Sequence, residues 1–110
     1  MPLRHPSIPE VRWQSLSAIY PVFQLKDLEY FIATYESGGF GRAADLLDTA
    51  QSHVSLRIQR LEEEIGGKLF ERLHRGIRPT RKGDVLYRHA KNVLRVVNEM
   101  QTAVKDADAA

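Results

Sequence analysis

Residues 40–66 read FGRAADLLDTAQSHVSLRIQRLEEEIG, and two helical patterns meet inside them at Asp48-Thr49. The first pattern offers Ala43, Ala44 and Leu47 to a core. The second offers Val54, Ile58, Leu61 and Ile65, a 4-3-4 spacing that draws one apolar line along a helix. Small side chains on the first helix let the second cross it closely. This is the sequence logic of a helix-turn-helix, whose second helix is suited to a DNA major groove.

The second helix divides by face. With each residue turned by about 100°, the side opposite the apolar line carries Ser52, Leu56, Gln59 and Glu63, flanked by His53, Ser55 and Arg60. Its N-terminal half holds no acid, whereas Glu62, Glu63 and Glu64 crowd the other end and would repel phosphate. Only the first turns, Gln51 to Arg60, are therefore suited to approach DNA. Gln51, Ser52, His53, Ser55, Gln59 and Arg60 carry donors and acceptors for base edges or phosphates, and Leu56 can meet a thymine methyl. The same pattern also fits the solvated face of an ordinary three-helix protein.

The chain has 110 residues, enough for one small domain, and a formal charge of only +2. The distribution of charge is more telling. Between Lys68 and Lys82 stand Lys68, Arg72, Arg75, Arg78, Arg81 and Lys82, against the single acid Glu71. Such a local excess suits a polyanion. Cysteine is absent, which excludes a disulfide framework and thiolate zinc sites. No apolar run is long enough for a membrane span or a signal-peptide core. His5, His53, His74 and His89 are scattered without metal-ligand spacing, and no nucleophile or phosphate-loop motif occurs, so an enzyme is not expected.

In chain order, residues 1–24 form an N-terminal extension interrupted by Pro2, Pro6, Pro9 and Pro21. It reads as flexible; Trp13, Leu16, Tyr20 and Phe23 leave open a short amphipathic segment docking on the domain or a partner. A first core helix is predicted over Leu25–Ser37, with Leu25, Leu28, Phe31, Ile32 and Tyr35 inward and Lys26, Asp27, Glu29 and Glu36 outward, stopped by Gly38-Gly39. Phe40 plugs the core, and Gly41–Leu47 is the second helix. Asp48 or Thr49 is the expected N-cap of the third, which ends at Gly66-Gly67. Arg72 to Pro79, with a central glycine between basic arms, reads as a hairpin wing on a phosphate backbone or as a solvated basic loop.

Thr80 caps the last helix, expected to run to about Lys105 or Asp106. Leu86, Ala90, Val93, Val97, Met100 and Val104 form a heptad-like seam along it. A helix near 25 residues, roughly 37 Å long at 1.5 Å per residue, outruns one small domain. Leu86, Tyr87 and Ala90 are expected to pack on the domain at its near end. The distal part is expected to meet the same helix of a second copy, with packing on a further domain as the alternative.

Taken together, LKDLEYF, GGFGRAADLL, QSHVSLRIQRLEEEIGGKLFER and RGIRPTRKG, in that order, resemble the N-terminal DNA-binding region of the LysR-type transcriptional regulators, from about Phe23 to Met100. The resemblance implies a mainly α fold. It comprises a winged helix-turn-helix over residues 25–82 (three helices and a short β wing) and a dimerising linker helix over 83–108. It also implies sequence-specific binding to double-stranded DNA, as a dimer or tetramer on interrupted inverted repeats near promoters, in the cytoplasm at the nucleoid. A protein-interaction module with a helix-turn-helix scaffold and only nonspecific DNA affinity is the alternative.

Carried over by position, Gln51, Ser52 and Ser55 open the recognition helix, and Arg60 points outward while Arg57 lies nearer the core. Arg72 follows the phenylalanine of LFER, Arg75 and Arg78 sit in the wing, and Thr80 opens the linker helix. Ala50 stands where the family has serine, and His53 is unusual at its position; both bear on sequence preference. Pro79 and Lys82 replace leucine and alanine in the wing region. The family continues into a small-molecule-sensing effector domain. The chain's end at Ala110 therefore implies an isolated DNA-binding region, with no cofactor of its own and inducer binding left to the absent domain.

Overall fold

The computed structural model describes residues 24–108; the Trp13-to-Phe23 segment and everything before it lie outside the described residues. Helix α1 spans Leu25–Ser37, α2 Phe40–Leu47 and α3 Gln51–Ile65. Strands β1 (Phe70–Arg72) and β2 (Ile77–Pro79) follow, then α4, Arg81–Asp106.

The start of α1 is held by Asp27, whose carboxylate accepts the Gln24 amide at 2.8 Å. Asp27 thus satisfies a donor that precedes the helix and sits where the helix dipole favours an anion. Contrary to the sequence expectation it is buried, while Leu25 is exposed. The reason is that α1 is packed on by α2, α3 and α4, so its covered surface exceeds one apolar stripe. Tyr30 and Thr34 are buried with Leu28 and Phe31, and the Thr34 hydroxyl donates back to the Tyr30 carbonyl at 2.8 Å. The helix ends at Gly38, whose φ of 79° lets its amide reach the Thr34 carbonyl at 3.0 Å.

Phe40 is the first residue of α2 and not merely a plug before it. Its ring meets Phe70 edge-on at 6.2 Å, and Phe70 lies 5.4 Å from Phe31. Ala43 and Ala44 give α3 the room to cross, and Val54, Ile58 and Leu61 fill the interface, all buried. The expected cap of α3 is absent. Asp48 instead closes α2 in the left-handed region (φ 52°), and the N-cap of α3 is Ala50, with no side-chain bond. Its carbonyl accepts the His53 amide at 3.0 Å.

The wing is a two-stranded antiparallel ladder pairing Phe70 with Pro79, Glu71 with Arg78 and Arg72 with Ile77. Both strands are edges, so the missing amide of Pro79 is tolerated. Thr80 then does three jobs. Its amide donates to the Leu69 carbonyl (2.9 Å), its hydroxyl donates to the Lys68 carbonyl (2.7 Å), and the same oxygen caps α4 by accepting the Gly83 amide (3.1 Å). Gly83 is required by contact: a Cβ there would collide with the Leu69 carbonyl oxygen and stand 3.4 Å from Pro79 Cβ. The wing and α4 therefore meet backbone to backbone. Past Ala90 and Leu94, which touch the core, α4 projects away from the domain.

Candidate nucleic-acid interface

The outward side of α3 is as the periodicity predicts: Gln51, Ser52, Leu56, Gln59, Arg60 and Glu63 are exposed, and Ser55 is half-buried. Leu56, 52 % exposed, is an apolar side chain in the middle of a polar face.

His53 is turned toward α1. Its ring stands edge-on to Tyr30 at 5.4 Å, Nδ1 lies 3.0 Å from Thr49 Oγ1, and Nε2 accepts Arg57 Nε–H at 3.3 Å. Arg57 continues inward, over the Tyr30 ring at 4.9 Å and onto the buried Asp27 carboxylate at 2.8 Å. The sequence placed Arg57 nearer the core, and it is a structural arginine; the acid it serves could not be named without the fold. His53, grouped in the sequence reading with the base-reading candidates, has both ring nitrogens engaged inside the domain.

The acids at the end of α3 also divide. Glu62 is not simply solvated: it accepts the Leu69 amide at 2.8 Å and faces Lys68 at 3.8 Å, tying the end of α3 to the root of the wing. Lys82 returns the contact, donating to the Gly66 carbonyl at 3.3 Å. A cleft between α3 and the wing brings together Ser55, Gln59, Arg72 and Thr80, with Glu62 and Glu71 beside them.

Within the wing the arginines differ. Arg78 is paired across the strands with Glu71 at 2.7 Å, and the Arg72 guanidinium lies over the Phe40 ring at 4.7 Å. Arg75 is exposed at the tip beside Gly76 and makes no ion pair among the described residues. It is the wing cation free to meet a phosphate without first breaking an internal contact. Thr80 has its hydroxyl committed as both donor and acceptor.

Along α4, the predicted seam splits as its length required. Ala90 is 1 % exposed and belongs to the domain's own core, and Leu86 packs against that core, so neither lies on a free face. Val97 is half-buried, and Val93, Met100 (56 % exposed) and Val104 (69 % exposed) form an outward apolar stripe. Val85 and Val96, absent from the heptad count, are exposed beside it, and Ile65, Val85 and Leu86 line a shallow groove at its near end. A 100° wheel over α4 would have found both valines; the strict heptad passed over them.

Among the described residues no helix is long and apolar enough to cross a membrane, and no group of acids and histidines is placed to hold a metal ion. A trihelical core, a second helix with an open polar face, a two-stranded wing and a capped long helix define a winged helix-turn-helix protein. The family model for the bacterial regulatory helix-turn-helix protein, lysR family, matches residues 25–84, and the chain belongs to that family. The HTH-type transcriptional regulator SoxR of Arthrobacter sp. is 39% identical over 85 residues, covering 77% of this chain and 29% of that protein. The HTH-type transcriptional regulator BenM of Acinetobacter baylyi is 40% identical over 82 residues, 74% of this chain and 27% of that protein. The chain thus spans under a third of the length of these curated relatives. Among solved structures, the BenM DNA-binding domain in complex with catB site 1 DNA is similar at a TM-score of 0.76 and 38% identity, covering 79% of this chain and 98% of that one. The CbnR DNA-binding domain in complex with DNA is similar at 0.74 and 32%, covering 76% and 97%.

Proposed function

We propose that this region binds double-stranded DNA in a sequence-specific manner to control transcription, as a dimer on an interrupted inverted repeat. The N-terminal half of α3 enters the major groove, where Gln51, Ser52, Ser55, Leu56 and Gln59 read base edges and methyl groups. Arg60 and Arg75 hold the backbone on either side, with the wing over the phosphates or the minor groove. The outward apolar stripe of α4, from Val93 to Val104, meets its counterpart in a second copy. The region acts without a cofactor; inducer binding falls to an effector domain outside it, and the protein works in the cytoplasm, on the nucleoid.

The observation that carries this reading is the exposed face of α3, polar but for Leu56, standing beside a basic wing tip with its acids confined to the far end. The likeness to two DNA-binding domains crystallised on DNA supports it. The test is selection of bound duplexes from a random double-stranded pool at near-physiological salt. An interrupted inverted repeat is expected. Retention without enrichment, vanishing as salt rises, would leave only nonspecific phosphate binding. No retention even at low salt would favour a protein-interaction module.

A further inference from the structure

Helices α1 and α4 meet through a reciprocal exchange of side chains. Tyr35 of α1 and Tyr87 of α4 stack face to face, 3.9 Å apart and 7° from parallel. The Tyr35 hydroxyl donates to Asp84 of α4 at 2.8 Å, and the Tyr87 hydroxyl donates to Glu36 of α1 at 2.5 Å. Lys91, one turn further along α4, donates to the same Glu36 carboxylate at 3.2 Å and lies 5.9 Å from the Tyr87 ring centre. Each ring is thus held at its own end by an acid of the opposite helix. The Tyr87 hydroxyl and Lys91 hold the Glu36 carboxyl below the usual carboxylate range. The Asp84 bond pushes the Tyr35 hydroxyl up, and the Glu36 bond does the same to Tyr87. The tyrosines therefore stay protonated donors, and Glu36 an ionised acceptor, across the neutral range.

All of these groups are exposed or half-buried. Exposed pairs contribute little to stability, so the worth of the contact lies in direction. A bare ring stack permits sliding; three hydrogen bonds across it do not. We propose that this tyrosine clasp is a positioning device: it sets the direction in which α4 leaves the winged domain, and so selects the separation of the two half-sites. The proposal rests on the dimeric DNA-binding reading above. α4 is fixed at its root by Thr80 and Gly83 and in mid-course by Ala90, all close to one line. The clasp is the side support. From Tyr87 to Val104 the helix runs roughly 25 Å at 1.5 Å per residue, so a tilt of about 10° at the clasp moves its end by about 4 Å. That displacement is comparable to the roughly 3.4 Å rise of one base pair.

The chain has no cysteine, so nitroxide pairs can be placed on the full chain at Lys26→Cys in α1 and Thr102→Cys in α4, diluted with unlabelled protein. The distance between them is measured in the wild-type background and in Tyr35→Phe/Tyr87→Phe, which keeps both rings and removes both hydroxyls. Glu36→Gln, which leaves the stack intact, is a second and independent variant. In parallel, binding is measured to a single half-site recovered by the selection above and to repeats whose spacer is stepped by one base pair. The variants are expected to show a broader distance distribution. Their preference for the best spacer over its neighbours should fall about threefold or more, with half-site affinity unchanged within about twofold. Unchanged distances with an unchanged spacing profile would overturn the proposal. So would a half-site loss as large as the loss on repeats, since the clasp would then serve the reading head itself. A wild-type chain that binds no half-site overturns the DNA reading, and the label distances then decide the clasp alone.

Discussion

Replacing Arg57 by alanine removes a guanidinium that is 20 % exposed from a carboxylate, Asp27, whose side chain is 6 % exposed. Breaking a fully buried ion pair from one side costs about 3–5 kcal/mol because the remaining charge stays buried. An exposed pair is worth about 0–1 kcal/mol. Asp27 lies near the buried limit, yet it keeps the Gln24 amide at 2.8 Å and its favourable place in the first turn of α1, which together hold part of the charge. The lost contact of Arg57 with the Tyr30 ring adds about 0.5–1 kcal/mol. The expected loss is therefore about 2–3 kcal/mol, between the two limits. For a domain of this size that is a fall in melting temperature of about 10–20 °C. Asp27→Asn should cost less, about 1–2 kcal/mol, because the partly exposed Arg57 can turn to water. Urea denaturation of both single variants and the double variant, at constant m-value, is the assay. The double variant should lose at least about 1 kcal/mol less than the sum of the singles. An Arg57→Ala loss under about 0.5 kcal/mol, additive with Asp27→Asn, would show that the pair behaves as a surface pair and that its burial argument is wrong.

Other outcomes follow from the same geometry. Arg75→Ala should weaken binding to every duplex alike and lower the salt slope by about one, read from affinities at stepped salt; unchanged affinity and slope would remove Arg75 as a phosphate anchor. Val97→Asp places a charge in the apolar stripe of α4 and should shift the chain from dimer to monomer in sedimentation, with the domain's melting little changed, because Val97 lies beyond the core. Gly83→Ala should destabilise by about 3 kcal/mol or more in urea, above ordinary overpacking, since the obstructing atom is the Leu69 backbone oxygen and not a flexible side chain. The clasp has a defined pH signature. Glu36, its pKa depressed, contributes stability that is present above the ordinary carboxylate range and is lost as pH falls through its lowered value. Tyr35 and Tyr87, raised, contribute stability that is present below the ordinary tyrosine value of about 10 and is lost as pH rises through their higher values. Melting followed into alkali should fall less steeply for Tyr35→Phe/Tyr87→Phe than for wild type; parallel curves would refute the assignment.

The outward polar face of α3 was legible because helical periodicity alone fixes which side chains oppose Val54, Ile58 and Leu61. The wing was legible from a glycine between basic arms, and the end of α4 from its unsupported length. Polarity alone puts Asp27 outside, whereas its partner Arg57 lies thirty positions away and enters only on folding. The cap of α3 was misassigned because Asp48, a good capping residue, was already engaged in closing α2. Local pattern groups Glu62 with Glu63 and Glu64 as one acidic end, because the amide it accepts, Leu69, lies beyond the helix. Ala90 lies on the heptad line of α4 and packs on the domain, as its place near the root of the helix implies.

What the sequence determined by itself was of local origin: the helices and their glycine stops, the turn, the wing, and the split of α3 into an apolar and a polar side. These depend on spacing and on side-chain size, which the chain carries in order. Only the tertiary structure decided how the polar residues were shared out. It committed His53, Arg57 and Glu62 to holding α3, and Arg72 and Thr80 to the wing root, and it left Ser52, Leu56, Gln59 and Arg75 outward. A polar side chain can face a ligand or a neighbouring element with equal local propensity. Which it does depends on donors and acceptors that only folding brings within about 3 Å.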